Sequence, residues 1–358
     1  MRGMKRPLLA IGCAASLLLP LQGSWAQGSA AGPARAGTEA APADHARPDV
    51  QAYLDHLKAH PRPKLTRELL KRIRTMPPQA MANADDLPVG ELATVKDVTM
   101  PGPAGPIRMR LYDPRAERGA GPVVVFFHGG AYVVGGIETH AGLSAEMARR
   151  LDLPVISVEY RLAPENPWPA AVDDGEAAAR WIAANGKAFG RDFTGLVISG
   201  DSAGGNLTLV TTQALRDKPA ALPVILQLPI YPATDSTRPY GSRSRFASGF
   251  GLDISPDDED FYAADPKSPR ASPLLADLAG LPPTVLVTAG LDPLRDEGRA
   301  YAAKLVEAGV PTAFYEAKGQ IHGFATYRKA IPSAQEDTVK FLALAKTVLD
   351  GMTDRTRP

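Results

Sequence analysis

Cysteine is almost missing: Cys13 is the single one in 358 residues. Once residues 1–26 are set aside, the chain has no disulfide, no thiol nucleophile and no cysteine metal site. An excess of charge of one sign is missing too. Forty Lys and Arg stand against 39 Asp and Glu, a formal charge of +1 with no block of like charges. That excludes the basic field of a nucleic-acid binder and an acidic tail. No serine has a lysine three residues on, and H-E-x-x-H does not occur. These absences exclude a penicillin-recognising serine enzyme and a metallohydrolase of the helix-borne His-His type. P-loop and dinucleotide fingerprints are absent as well. No cofactor and no metal site are read from this chain; His56 and His60, spaced i, i+4, read as solvent-facing.

Long apolar runs are confined to the start. Arg2, Lys5 and Arg6 precede the apolar stretch "LLAIGCAASLLLPLQG", and Ser24 and Ala26 are the small residues of a cleavage site before Gln27. This layout predicts a secretory signal peptide over 1–26, with a retained anchor as the rival reading. Cleavage leaves 37 cations against 39 acids, places the protein in the periplasm or the medium, and leaves no stable membrane anchor. Residues 27–48, rich in Ala, Gly and Pro, read as a flexible leader.

The remainder, 44% hydrophobic overall, carries ample core. Val50, Tyr53, Leu54 and Leu57 fall on one helical face, and Leu65, Leu69, Leu70 and Ile73 predict a second short helix. "ATVKDVTM" and "IRMRLYDP" read as paired strands around "PGPAGP". Then "PVVVFF", "PVISVEY", "GLVISG", "VILQLPI" and "TVLVTAG", with "TAFYEA", show the unalternating pattern of strands buried on both faces. Helical stretches separate most of them, and Gly186 and Gly309 mark helix ends. This rhythm predicts an α/β class fold with a mostly parallel central sheet and helices on both faces. The main domain is read over 49–350, with a tail at 351–358. Residues 234–275 break the rhythm and hold Phe246, Phe250, Leu252, Phe261 and Tyr262, expected to roof a small apolar substrate pocket.

"GLVISGDSAGGNLTL" runs from strand through Gly200-Asp201-Ser202-Ala203-Gly204 into a helix. G-x-S-x-G in that setting is a nucleophile elbow, where bulk beside the serine collides with neighbouring strand and helix. A hydroxyl needs a base. In the order Ser, acid, His, the one histidine beyond Ser202 is His322 in "GQIHGF". Asp292, after "TVLVTAG", is the favoured acid; Asp296 and Glu297 compete from the start of the next helix. His128-Gly129-Gly130 follows a strand, so the N–H groups of Gly129 and Gly130, with that of Ala203, read as donors to an oxyanion. His128 reads as a loop-shaping residue.

Together "HGGAY", "EYRLAPENPWPAAVDD", "GDSAGGN", "ASPLL", "DPLRDEG" and "HGF", in this order, resemble the hormone-sensitive-lipase-like branch of the α/β-hydrolase superfamily. The likeness runs from about residue 50 to about residue 345. It implies the α/β-hydrolase fold and a serine carboxylesterase acting on a small-molecule ester through an acyl-enzyme; the small roofed pocket adds the expectation of short-to-medium acyl chains. It implies Ser202, Asp292 and His322 as triad, and Gly129, Gly130 and Ala203 as oxyanion hole. It also implies a cap from about 49–85 and 234–275, and allows a homodimer. Ala131 departs from the pattern, since many members have a third glycine there. A non-catalytic ligand-binding protein on the same fold and a true long-chain lipase are the alternatives.

Overall fold

The computed structural model describes residues 44–253 and 259–355. The expected signal peptide at 1–26 and the leader as far as residue 43 lie outside these. The last leader residues belong to the body instead: Arg47 donates to Lys318 O at 2.8 Å and pairs with Asp337, and Asp44 pairs with Arg295. Helix α1 (Pro48–Ala59) starts with proline at its first turn, where a missing N–H costs nothing, and buries Val50 and Tyr53. Helix α2 (Arg67–Arg74) is capped by Thr66, whose hydroxyl accepts the Leu69 N–H, and buries Leu70.

Strands β1 (Thr94–Gly102) and β2 (Gly105–Asp113) form the expected hairpin. Then β3 (Gly121–Phe127), α3 (Ala141–Leu151), β4 (Val155–Val158), α4 (Ala170–Ala184), β5 (Phe193–Asp201), α5 (Ala203–Asp217) and β6 (Val224–Ile230) alternate. The short α6 (Gly241–Arg245) is the one α-helix described within 234–275. After it come β7 (Thr284–Leu291), α7 (Arg295–Glu307), β8 (Thr312–Ile321) and α8 (Pro332–Arg355). Helix α8 runs past residue 350, so the first residues of the expected tail are its last turn.

The eight strands form one sheet in the order β1-β2-β4-β3-β5-β6-β7-β8, antiparallel at β1/β2 and β2/β4 and parallel elsewhere. The unalternating runs follow from burial on both faces. Along β3, Val124 and Phe126 pack with Leu143, Met147 and Phe341 of α3 and α8. Val123, Val125 and Phe127 point the other way, against Ala178 and Ile182 of α4 and Leu207 and Val210 of α5. Successive side chains on a strand take opposite faces, so a strand sandwiched between helix layers must be apolar at every position. Each of these side chains contributes about 1.5–3 kcal/mol by leaving water, which is how a chain without disulfides holds its shape. The carboxyl ends of β3, β5, β7 and β8 converge on one edge of the sheet, the place where open parallel sheets bind ligands.

Candidate active site

Ser202 joins β5 directly to α5, with φ +56° and ψ −116°. A side chain in that region is strained and persists only where its surroundings fix it. They do: its N–H donates to Ile230 O at 2.9 Å. A Cβ on Gly204 would stand 1.9 Å from Phe127 O, and one on Gly200 would stand 2.5 Å from the same atom. The flanking glycines therefore let the elbow press against the end of β3.

Ser202 Oγ lies 2.8 Å from His322 Nε2, and His322 Nδ1 lies 2.8 Å from Asp292 Oδ2. Asp292 follows β7 and is fixed by its other oxygen, which accepts the Leu294 N–H at 2.7 Å. His322 follows β8. Burial alone would lower the His322 pKa, but the charge and hydrogen bond of Asp292 outweigh it and the net shift is upward. The two rival acids face elsewhere. Asp296 accepts the Ser242 N–H at 2.9 Å and pairs with Arg295. Glu297 accepts the Thr234 N–H at 2.7 Å and is bound by Arg243 through Nε and Nη2. Burial pushes the Glu297 carboxyl up to about 7.

The loop after β3 departs from expectation at Gly129. Its N–H donates to Asp201 Oδ1 at 2.8 Å, so it has no proton left for a substrate oxygen. Among the described residues no hydrogen bond engages the N–H of Gly130, Ala131 or Ala203. Of the expected donors, Gly130 and Ala203 thus keep uncommitted N–H groups, and Ala131 has one as well. Gly130 has φ +120°, and a Cβ there would lie 2.1 Å from Val134 O. Ala131 and Tyr132 follow with φ +54° and +63°. Left-handed backbone costs a non-glycine residue about 1–2 kcal/mol, which is the physical content of the missing third glycine.

Asp201 is the residue that sequence reasoning passed over. It is buried beside the nucleophile and accepts both the Gly129 N–H and, at 3.2 Å, His140 Nε2. Burial alone would raise the Asp201 pKa and lower that of His140, yet their mutual attraction shifts each toward its charged form. His140 Nδ1 meets Thr139 Oγ1 at 2.7 Å, and that oxygen is tied to both backbone groups of Gly136. The whole turn is thus wired to Asp201. His128 shapes the same turn: its ring stacks on Tyr160 and its Nδ1 meets Gly129 O at 2.8 Å. Burial, aided by His140, lowers its pKa to about 3, so it stays neutral.

Of the five residues expected in one roof, four form two separate walls. Phe246 and Phe250 meet edge to face at 5.0 Å and pack with Val50, Tyr53 and Ile321 on the His322 side. Phe261 and Tyr262 pack with Tyr132, Val133 and Trp168 on the oxyanion-loop side. Leu252 is half-buried and joins neither cluster. The irregular segment carrying them is pinched at its root. Asn206, one turn into α5, donates to Ala233 O at 2.8 Å and Ala271 O at 2.9 Å. Among the described residues no three His, Cys, Asp or Glu side chains converge to hold a metal ion, and no helix is long and apolar enough to cross a membrane.

Comparison with known proteins agrees with this geometry. Residues 124–326 match the family described as alpha/beta hydrolase fold. The chain is 37% identical over 290 residues to Esterase LipI of Mycobacterium tuberculosis, covering 78% of this chain and 88% of that protein. It is 36% identical over 277 residues to an arylesterase of Saccharolobus solfataricus, covering 73% and 85%. Among solved structures, a mutant of an alpha/beta hydrolase enzyme from the metagenome of Lake Arreo, Spain, superposes with a TM-score of 0.76 at 37% identity, covering 85% of this chain and 99% of that one. Matched over more than half its length, and similar at this level to relatives it spans almost fully, this chain belongs to the α/β-hydrolase family, in its hormone-sensitive-lipase-like branch.

Proposed function

We propose that the protein hydrolyses carboxylic esters with short-to-medium acyl chains through an acyl-enzyme on Ser202. One observation carries the reading: a serine on a strained elbow, an imidazole and a carboxylate follow one another at 2.8 and 2.8 Å. Asp292 takes the Nδ1 proton of His322 in a hydrogen bond, which leaves the Nε2 lone pair facing Ser202 Oγ. His322 accepts the hydroxyl proton as Oγ bonds to the ester carbonyl carbon. The carbonyl oxygen becomes an anion held by the N–H groups of Gly130, Ala131 and Ala203. Collapse of that intermediate breaks the bond to the alcohol, which leaves with the proton from His322. Water, deprotonated by His322, then attacks the acyl carbon, and Ser202 regains its proton as the acid departs. The curated relatives, named as esterases, support the substrate class.

Labelling with a fluorophosphonate ester tests the nucleophile directly. The adduct should map to Ser202 and vanish in Ser202→Ala, whose kcat on p-nitrophenyl butyrate should fall roughly 10⁴- to 10⁶-fold. Activity near the parent level in that variant would end the reading of Ser202 as nucleophile, whereas a parent protein that turns over no ester would favour a non-catalytic binding role. The cationic and apolar pattern of residues 1–26 supports export, with a new N-terminus at or near Gln27; sequencing the N-terminus of protein from periplasm or medium decides it. An intact Met1 in a cytoplasmic fraction refutes the signal-peptide reading.

A further inference from the structure

Ala131 and Tyr132 are both left-handed, at φ +54° and +63°. Neither is glycine, so both relax unless their neighbours prevent it. The backbone supplies part of the restraint. The N–H groups of Val133 and Val134 donate to Gly130 O at 3.0 and 2.9 Å, and the Ala163 N–H donates to Tyr132 O at 2.8 Å. The expected cap segments supply the rest. Arg74, at the end of α2, donates to Val133 O at 2.7 Å and to Ala163 O at 2.9 Å. The Tyr262 ring lies flat on the Tyr132 ring, with centroids 3.8 Å apart and planes 6° from parallel. Tyr262 is itself anchored, because its carbonyl accepts the Trp168 N–H at 2.9 Å. Next to it, Phe261 lies under the guanidinium of Arg67 from α2, which also pairs with Glu259. The Tyr262 hydroxyl is buried without a hydrogen-bond partner among the described residues. The ring face is therefore the part in use.

We infer that Tyr262, on the reading that Ser202 is acylated and its oxyanion is held by this loop, is a positioning residue for that loop. Its stack keeps Ala131 and Tyr132 left-handed, and with them the unbonded N–H groups of Gly130 and Ala131. The dependence follows from Ala131. Glycine takes that φ without a Cβ penalty, so a chain with glycine there holds the loop with less help from the stack. The departure at Ala131 and the aromatic pair Tyr132–Tyr262 are two halves of one device, which couples docking of the segment around 259–262 to the state of the oxyanion loop.

Kinetics on p-nitrophenyl acetate, whose acyl group is too short to need a wall, separates positioning from substrate contact. Tyr262→Ala should lower kcat about 10- to 100-fold, less than deletion of an oxyanion donor, with KM changed less than about threefold. It should weaken a trifluoromethyl ketone transition-state analogue by the same factor as kcat. Tyr262→Phe should restore kcat to within about threefold. Adding Ala131→Gly to Tyr262→Ala should recover at least about fivefold in kcat. A rise in KM with kcat unchanged, or no recovery from glycine, overturns the inference and leaves Tyr262 a plain wall. Hydrogen exchange reads the same coupling without a substrate. Tyr262→Ala should speed exchange of the Val133 and Val134 amides at least about tenfold while β3 and β5 stay protected; unchanged exchange overturns the inference. If β3 and β5 lose protection as well, Tyr262→Leu, which keeps the bulk and loses the stack, replaces Tyr262→Ala. A parent protein that hydrolyses no ester sinks the proposed function and leaves the exchange result standing.

Discussion

The Gly129 N–H donates to Asp201 Oδ1 at 2.8 Å, so the residue beside the nucleophile in sequence holds the loop that faces the nucleophile in space. The same oxygen takes His140 Nε2 at 3.2 Å. Asp201→Asn keeps an acceptor for Gly129 and loses the charge that raises the His140 pKa. Its kcat should fall about tenfold. Asp201→Ala frees the loop, and kcat should fall about 10²- to 10³-fold, as for loss of an oxyanion donor. Stability should drop by about 1–3 kcal/mol, because the buried Gly129 N–H loses its acceptor. Steady-state kinetics and thermal unfolding of the two variants check this; a parent-like kcat in Asp201→Ala would show that the loop stands without the carboxylate.

The choice of acid is open to a paired substitution. Asp292→Asn removes the charge behind His322 and favours the wrong tautomer, so kcat should fall on the order of 10⁴-fold. Asp296→Asn removes a partner of Ser242 and Arg295 and should cost less than about tenfold. The reverse order of effects would make Asp296 the member of the triad.

The pH profile follows from the sign of the His322 shift. The base must be neutral to take the Ser202 proton. Asp292 holds the imidazolium more firmly than burial opposes it, so the pKa lies above the ordinary 6.5. Activity in the free enzyme should therefore fall as pH drops through a value above 6.5, with one proton taken up. In Asp292→Asn the main opposition to burial is gone and only the fields of Asp201 and Glu297 remain, so the limb of the residual activity should move to lower pH. A kcat/KM profile measured from pH 5 to pH 9 tests both; a limb that ignores the substitution would assign it to another group.

The strands were legible because burial on both faces leaves an unbroken apolar run, as in β3 and β5. Ser202 and His322 were legible because the elbow leaves few choices around a serine, and one histidine lies beyond it. The commitment of the Gly129 N–H was not. It depends on the turn at Gly130, whose φ of +120° decides which way successive N–H groups point, and no residue pattern states that angle. Asn206 was hidden for a different reason: its partners are 27 and 65 residues away. The split of the aromatics has the same origin. Phe246 and Tyr262 are close in sequence, yet Phe246 packs with the cluster holding Ile321 while Tyr262 stacks on Tyr132.

That split sharpens the expected acyl preference. A cleft of about 660 Å³ opens between α1 and residues 249–253, lined by Leu54, Leu57, Phe250 and Gly251. A Cβ on Gly251 would stand 3.4 Å from His322 O and 3.1 Å from Ile321 Cδ1. Phe250 and Gly251 thus form a partition between this cleft and the loop bearing His322. An acyl chain held between the two walls gains about 0.8 kcal/mol per buried methylene until it meets that partition. On p-nitrophenyl esters, kcat/KM should rise from acetate to about butyrate or hexanoate and then fall steeply. Phe250→Ala removes bulk between this cleft and the His322 loop, so its optimum should move to a longer chain while the acetate rate stays within about threefold. Emulsified long-chain triglycerides should be poor substrates for the parent. A parent rate that keeps climbing through palmitate would show that the partition gives way on its own, which would make the protein a lipase and leave Phe250→Ala without effect on chain length.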